Sequence, residues 1–144
     1  MNNQSLTLLF GTSVRNMSIT DPYAQEAKER WGDTDAYKIS TARAAQYSEA
    51  DWDVIKAEQQ AAVDLFIAAM NAGLSADSEE AAEAAEAHRL GIDKWFYPCS
   101  HEMQSGLAEM YIADERFAKH YNDQADGLAQ YVHDAIIANA LKHL

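Results

Sequence analysis

Two prolines in 144 residues, Pro22 and Pro98, leave the whole interval 23–97 without a residue that would break a helix by lacking a backbone N–H. Much of that interval is alanine, the residue that loses least on entering a helix. The six glycines are dispersed at single positions, so no stretch is loosened by a glycine-rich run. Nearly half the residues, 48%, are apolar, enough to build a buried core and too many for a disordered chain. The expectation is an all-α protein of about six or seven helices. Its length fits one domain, since domains typically run about 100 to 150 residues.

The punctuation between helices can be read locally. Residues 1–20 carry an apolar run, Leu6 to Phe10, followed by Gly11, Thr12 and Ser13, and read as an N-terminal arm. Asp21 caps a helix with Pro22 at its first position, running through Trp31 to Gly32. Thr34 or Asp35 opens another. Between residues 22 and 47 the apolar positions are mainly Tyr23, Trp31, Tyr37, Ile39 and Tyr47, few of them aliphatic, so this part is weakly anchored. Ser48 and Asp51 form a capping arrangement before a helix with Trp52, Ile55, Val63, Phe66, Ile67 and Met70 on one stripe, ending near Gly73. Asp77 or Ser78 caps the next, which places Ala81, Ala84, Ala85 and His88 on one face and is closed or kinked by Gly91. Ser100 caps a helix carrying Met103, Leu107, Met110 and Tyr111. Asp114 opens a short one through Phe117 and Tyr121, and the last begins near Asp126 or Gly127 with Leu128, Tyr131, Val132, Ala135, Ile136 and Asn139 inward.

A formal charge of −12, with only eleven Lys and Arg, excludes direct nucleic-acid binding by this chain, because a polyphosphate needs clustered cations. No apolar run is long enough to span a bilayer, so no membrane partner and a cytoplasmic location are expected. No glycine-rich phosphate loop is present. His101-Glu102 lacks a second histidine four residues after the first, and no glutamate stands three residues before a histidine, so neither zinc-protease nor di-iron spacing occurs and no metal or other cofactor is expected.

Cys99, the single cysteine, lies between Trp95-Phe96-Tyr97-Pro98 and the Ser100-capped helix. Free N–H groups at a helix N-terminus favour a thiolate, the reactive form, although a lone cysteine is also an ordinary small hydrophobe. A thiol enzyme would need His101 or His88 as base, with Glu102 or Glu86 to orient it. His101 is only two residues away at a helix start, so its ring is expected to point off into solvent. His88, on the inward alanine face, reads either as a hydrogen-bonded core histidine or as a polar contact to a ligand. Three Trp and seven Tyr, including Trp95, Tyr97, Tyr111 and Tyr121 with Phe96 among them, suit core packing and also a pocket for a bulky heteroaromatic ligand.

An ordered set of fragments resembles the TipA-type effector-binding domain of MerR-family transcription activators. The fragments are Glu29-Arg30-Trp31-Gly32, Thr34-Asp35-Ala36-Tyr37, Tyr47-Ser48 with Asp51-Trp52, Asp77-Ser78, Ala87-His88-Arg89 with Gly91-Ile92, and Cys99 with Glu102-Met103. They continue through Leu107 to Tyr111, Asp114-Glu115-Arg116-Phe117, Gly127-Leu128-Ala129, Tyr131, and Ala135-Ile136 with Ala138-Asn139-Ala140. The resemblance covers about Asp21 to His143. It implies a globin-like helical fold without haem, capture of thiopeptides such as thiostrepton or of other bulky antibiotics, and a cysteine that bonds to the drug's dehydroalanine tail, a place held here by Cys99. It also implies that residues 21–47 act as a lid on a domain spanning 21–144, ordered by the ligand, with Trp31, Tyr37 and Trp52 burying the drug. The candidate ligand contacts are then Cys99, His88, Trp95, Phe96, Tyr97, Met103, Tyr111, Tyr121, Trp31, Tyr37 and Trp52. The winged helix and coiled coil of full regulators are not among the matched pieces, and this chain alone is not expected to activate promoters. The competing classes are a small thiol-dependent enzyme and a helical interaction or dimerisation module docking through Leu6, Leu8, Leu9 and Phe10.

Overall fold

Side-chain caps decide where the helices begin. The computed structural model describes residues 33–144, and among these there are six α-helices and no strand. Helix α1, Asp35–Ala44, starts where the Thr34 side chain accepts from the Tyr37 N–H. Helix α2, Glu49–Asn71, starts at a reciprocal box: Ser48 Oγ accepts from the Asp51 N–H at 3.2 Å, and Asp51 Oδ2 accepts from the Ser48 N–H at 2.9 Å. Gly73 follows at φ 75°, a left-handed conformation that costs glycine least. Ser78 caps α3, Glu79–Trp95, through the Ala81 N–H. Ser100 caps α4, His101–Ala113, and Asp114 caps α5, Glu115–Asn122. Helix α6, Leu128–Lys142, begins after Gly127, which has no side chain to cap with, and the Asn122 carboxamide oxygen accepts from the Ala129 N–H instead. The expected helix from Asp21 to Gly32 and the arm before it lie outside the described residues.

One boundary differs from the sequence reading. Helix α3 neither ends nor divides at Gly91 but continues to Trp95. A glycine inside a helix costs about 1 kcal/mol relative to alanine. Ile92, fully buried one residue on, anchors the extra turn, and its carbonyl accepts from the N–H groups of Phe96 and Tyr97 at 2.9 and 3.2 Å.

The chain divides into two compact units. In the first, of which residues 33–60 and 91–98 are described, aromatic rings replace the aliphatics this part lacks. Tyr47 meets Trp52 and Trp95 edge-on at 5.6 and 5.5 Å, and Trp52 lies tilted against Phe96 at 6.1 Å. Polar links tie the rings to the backbone: the Tyr47 hydroxyl donates to the Trp95 carbonyl, the Trp95 indole donates to Glu58, and Arg43 donates to the Asp93 carbonyl.

The second unit, residues 61–90 and 99–144, holds the helices α4, α5 and α6 packed on one another. Phe66, Phe117, Tyr121, Leu128, Val132 and Ile136 are completely buried there, each such aliphatic or phenyl side chain stabilising the fold by roughly 1.5–3 kcal/mol. Ala81, Ala84 and Ala85 are equally buried and occupy the inward face of α3, as their spacing predicts.

Candidate functional site

The small side chains of that alanine face leave α3 backbone within reach of α4. Gln104, fully buried on α4, donates from its amide nitrogen to the Ala85 carbonyl at 2.8 Å and to His88 Nδ1 at 2.9 Å. A carbonyl only accepts, so the first bond fixes which end of the amide faces α3, and the second then makes Nδ1 an acceptor. His88 therefore carries its ring proton on Nε2, which faces the Tyr111 hydroxyl at 3.4 Å. Tyr111 packs against Tyr121 at 5.1 Å, and Phe66 meets the His88 ring edge-on at 6.3 Å. Burial pushes the Tyr121 hydroxyl well above the usual tyrosine range, opposed by a hydrogen bond from Tyr111. The Gln104 Oε1 atom is buried without a hydrogen-bond partner.

Beside this cluster lies the turn that carries Cys99. The Cys99 side chain is 2% exposed, and its thiol donates to the Ser100 carbonyl at 3.8 Å. Ser100 Oγ has taken the Met103 N–H at 3.0 Å, so that start-of-helix donor is spent on the cap and is not turned on the sulfur, as the helix-terminus argument had it. The turn is held from α3 by Arg89, whose Nη1 donates to the Cys99 carbonyl at 2.8 Å.

Arg89 also grips Glu86 in a fork, Nη2 to Oε2 at 2.9 Å and Nε to Oε1 at 3.1 Å. Glu86 Oε1 accepts in addition from His101 Nε2 at 2.6 Å and from the Asn139 carboxamide at 2.9 Å. The Arg89 bond, against the opposing effect of burial, holds the Glu86 carboxyl down at about 2, with His101 and Asn139 adding to it. His101 is thus not the solvated histidine expected from its place at a helix start. Its side chain is 25% exposed, hydrogen-bonded to Glu86, and stacked on His143 at 4.1 Å with the rings 11° apart. His143 in turn donates from Nδ1 to the Asn139 carbonyl at 2.9 Å. Two open clefts adjoin at His143. One of about 480 Å³ is lined by Glu79, Glu83, Glu86, Asn139 and Lys142 among others, and one of about 510 Å³ by Ser100, His101, Ser105, Ile137 and Leu141 among others.

The sequence-derived candidates fall into separate groups. His88, Tyr111 and Tyr121 come together in the second unit's core, with Cys99 buried on the turn in the same unit and Met103 exposed at 39%. Trp52, Trp95 and Phe96 come together in the first unit, where Tyr97 is also buried and Tyr37 is half-buried on α1. Trp31 lies outside the described residues. A thiol-hydrolase pairing gains no support, because both His88 nitrogens and the His101 Nε2 already have other partners. Sequence reasoning passed over Gln104, Arg89 and His143. Gln104 had a signal, a polar residue in the inward register of Leu107, Ala108 and Tyr111, and Arg89 had its three-residue spacing from Glu86. Among the described residues no helix is long and apolar enough to cross a membrane.

Comparisons with known proteins agree on one family. The model of the TipAS antibiotic-recognition domain matches residues 23–139. The HTH-type transcriptional activator TipA of Streptomyces coelicolor is 47% identical over 123 residues, which are 85% of this chain and 49% of that protein. The HTH-type transcriptional activator mta of Bacillus subtilis is 35% identical over 115 residues, 80% of this chain and 44% of that one. The chain therefore spans about half the length of the curated relatives it matches. Among solved structures, Streptomyces lividans TipAS in complex with nosiheptide matches with a TM-score of 0.81 and 43% identity, covering 96% of this chain and 93% of that one. The antibiotic-binding domain of a TipA-class multidrug resistance transcriptional regulator matches at a TM-score of 0.59 and 47% identity, covering 64% and 98%.

Proposed function

Since this chain belongs to the TipAS antibiotic-recognition domain family, we propose that it is an effector domain that binds a thiopeptide or a comparably bulky heteroaromatic antibiotic, and that it is not an enzyme. One observation carries the reading: the likeness to the nosiheptide complex of TipAS extends over 96% of the chain at 43% identity. TipA and mta are transcriptional activators by name, and we extend to this chain the sensing half of that role in the cytoplasm. Contact with DNA falls to a separate domain, in keeping with the net charge of −12 on this chain.

The drug-binding domain is residues 21–144, with residues 1–20 an arm and 21–47 a lid that orders on the ligand. Trp31, Tyr37 and Trp52 supply apolar area that offsets the entropy of that ordering. Cys99 captures the drug covalently. Its sulfur adds to the terminal CH2 of a dehydroalanine, the carbon–carbon π pair takes up a proton at the α-carbon, and the thiol gives up its own. Nothing leaves and no cofactor takes part. With the side chain 2% exposed, the step requires the turn at residues 98–100 to open, and the Arg89 bond to the Cys99 carbonyl is the contact that opening would release.

Intact-mass measurement after incubation with nosiheptide or thiostrepton tests both parts. The expected result is one drug added per chain, with Cys99→Ala showing no adduct while it still binds reversibly. Reversible binding without an adduct in the unaltered chain removes the covalent step, and no binding of either drug removes the assignment.

A further inference from the structure

Spacing in the sequence shows no metal site, yet the fold gathers one from three separate places. Glu86 on α3, His101 at the start of α4 and His143 just past the end of α6 bring one potential ligand atom each to within 4.8 Å of one another. All three lie in the second unit. We propose that Glu86, His101 and His143 bind a divalent transition-metal ion of borderline softness, of the Zn2+ class, through one carboxylate oxygen and two imidazole nitrogens.

Three observations support the site. First, the donor set is two nitrogens and one oxygen, which suits Zn2+, Ni2+ or Co2+ and disfavours the hard ions Mg2+ and Ca2+. Second, His143 already holds the tautomer a ligating histidine needs. Its Nδ1–H is donated to the Asn139 carbonyl, which leaves the lone pair on Nε2, and the same Asn139 steadies Glu86 through its carboxamide. Third, Glu86 and His143 line a cleft of about 480 Å³ whose further lining includes Glu79 and Glu83, carboxylates that favour entry of a cation. Lys142 lines the same cleft, but its ammonium is turned to the Asp77 carbonyl at 2.7 Å.

For Glu86 and His101 the adjustment needed is small. Ligand atoms about 2.0–2.2 Å from a tetrahedral ion lie roughly 3.3–3.5 Å apart. Glu86 Oε1 and His101 Nε2, now 2.6 Å apart, separate by less than about 1 Å as the ion replaces the proton between them, which passes to water or to His101 Nδ1. His143, an exposed residue, swings in from its stack on His101. Arg89 stays on Oε2. The bound ion would join the end of α6 to the start of α4, two residues from Cys99. A water fills the fourth position.

Calorimetric titration of the EDTA-treated, dialysed full chain with ZnCl2 tests this without any antibiotic, so its outcome is separate from that of drug binding. The expected result is one Zn2+ per chain, with affinity falling at least tenfold in both His101→Ala and His143→Ala and unchanged in His120→Ala and His133→Ala. Circular dichroism checks each variant's fold. Should His101→Ala unfold, His143→Ala, altered at an exposed position, decides alone. Absence of Zn2+ binding, affinity unchanged in His143→Ala, or binding lost in His133→Ala overturns the proposal.

Discussion

Glu86 shows how much of the candidate site depends on one charge. Its carboxylate serves Arg89 on its own helix, His101 at the head of α4 and Asn139 on α6, so a single ionised group links three helices. A carboxyl held at about 2 in the fold and near 4.5 in the unfolded chain contributes stability that is fully present above pH 4.5. That contribution is lost as the pH falls through the folded value. Urea midpoints of the unaltered protein and Glu86→Gln, compared in EDTA, should therefore differ by a constant amount above pH 5 and converge between about pH 4.5 and 2. A difference that does not narrow in that window would contradict the account. None of this linkage was legible in the sequence beyond the Glu86 to Arg89 spacing, because His101, Asn139 and His143 reach Glu86 only through helix packing. Cys99 and His88 were legible for the opposite reason. Their places, one before a capping serine and one on an alanine face, are set by neighbours within a turn or two.

At the scale of the helix, most starts were written in short polar patterns. Thr34, Ser48 with Asp51, Ser78, Ser100 and Asp114 all hold the backbone N–H groups that their positions promised. Such bonds span two or three residues, so sequence alone contains both partners. Ser100 has the added task of shaping the turn with Cys99. Ser100→Ala should lower the unfolding free energy by about 1 kcal/mol, the usual loss for a capping hydroxyl, read from urea unfolding. An unchanged midpoint would mean that the cap is replaced by water at no cost. That α3 does not close at Gly91 was not legible because the reason is not local. A glycine weakens a helix by its own backbone, whereas the burial of Ile92 and Phe96 that carries α3 onward to Trp95 is a property of the packed unit.

For the molecule as a whole, helical class followed from the scarcity of proline and the abundance of alanine, and the family from an ordered set of motifs. The grouping of the aromatic candidates did not follow from either. Composition showed an excess of Trp and Tyr but could not say that Tyr111 and Tyr121 pack with His88 while Trp52, Trp95 and Phe96 pack with Tyr47. Nor could it show that most of these rings are buried, which is why the proposed capture of a large drug includes a lid that orders and a turn that opens. The central claim, that this chain is an antibiotic receptor whose N-terminal part responds to the drug, has a direct test. Amide-proton spectra of the isotope-labelled chain, recorded as nosiheptide is added, should change until one drug per chain and then stop, with new dispersed resonances from residues 21–47. A spectrum that stays the same at several-fold excess of drug would contradict it.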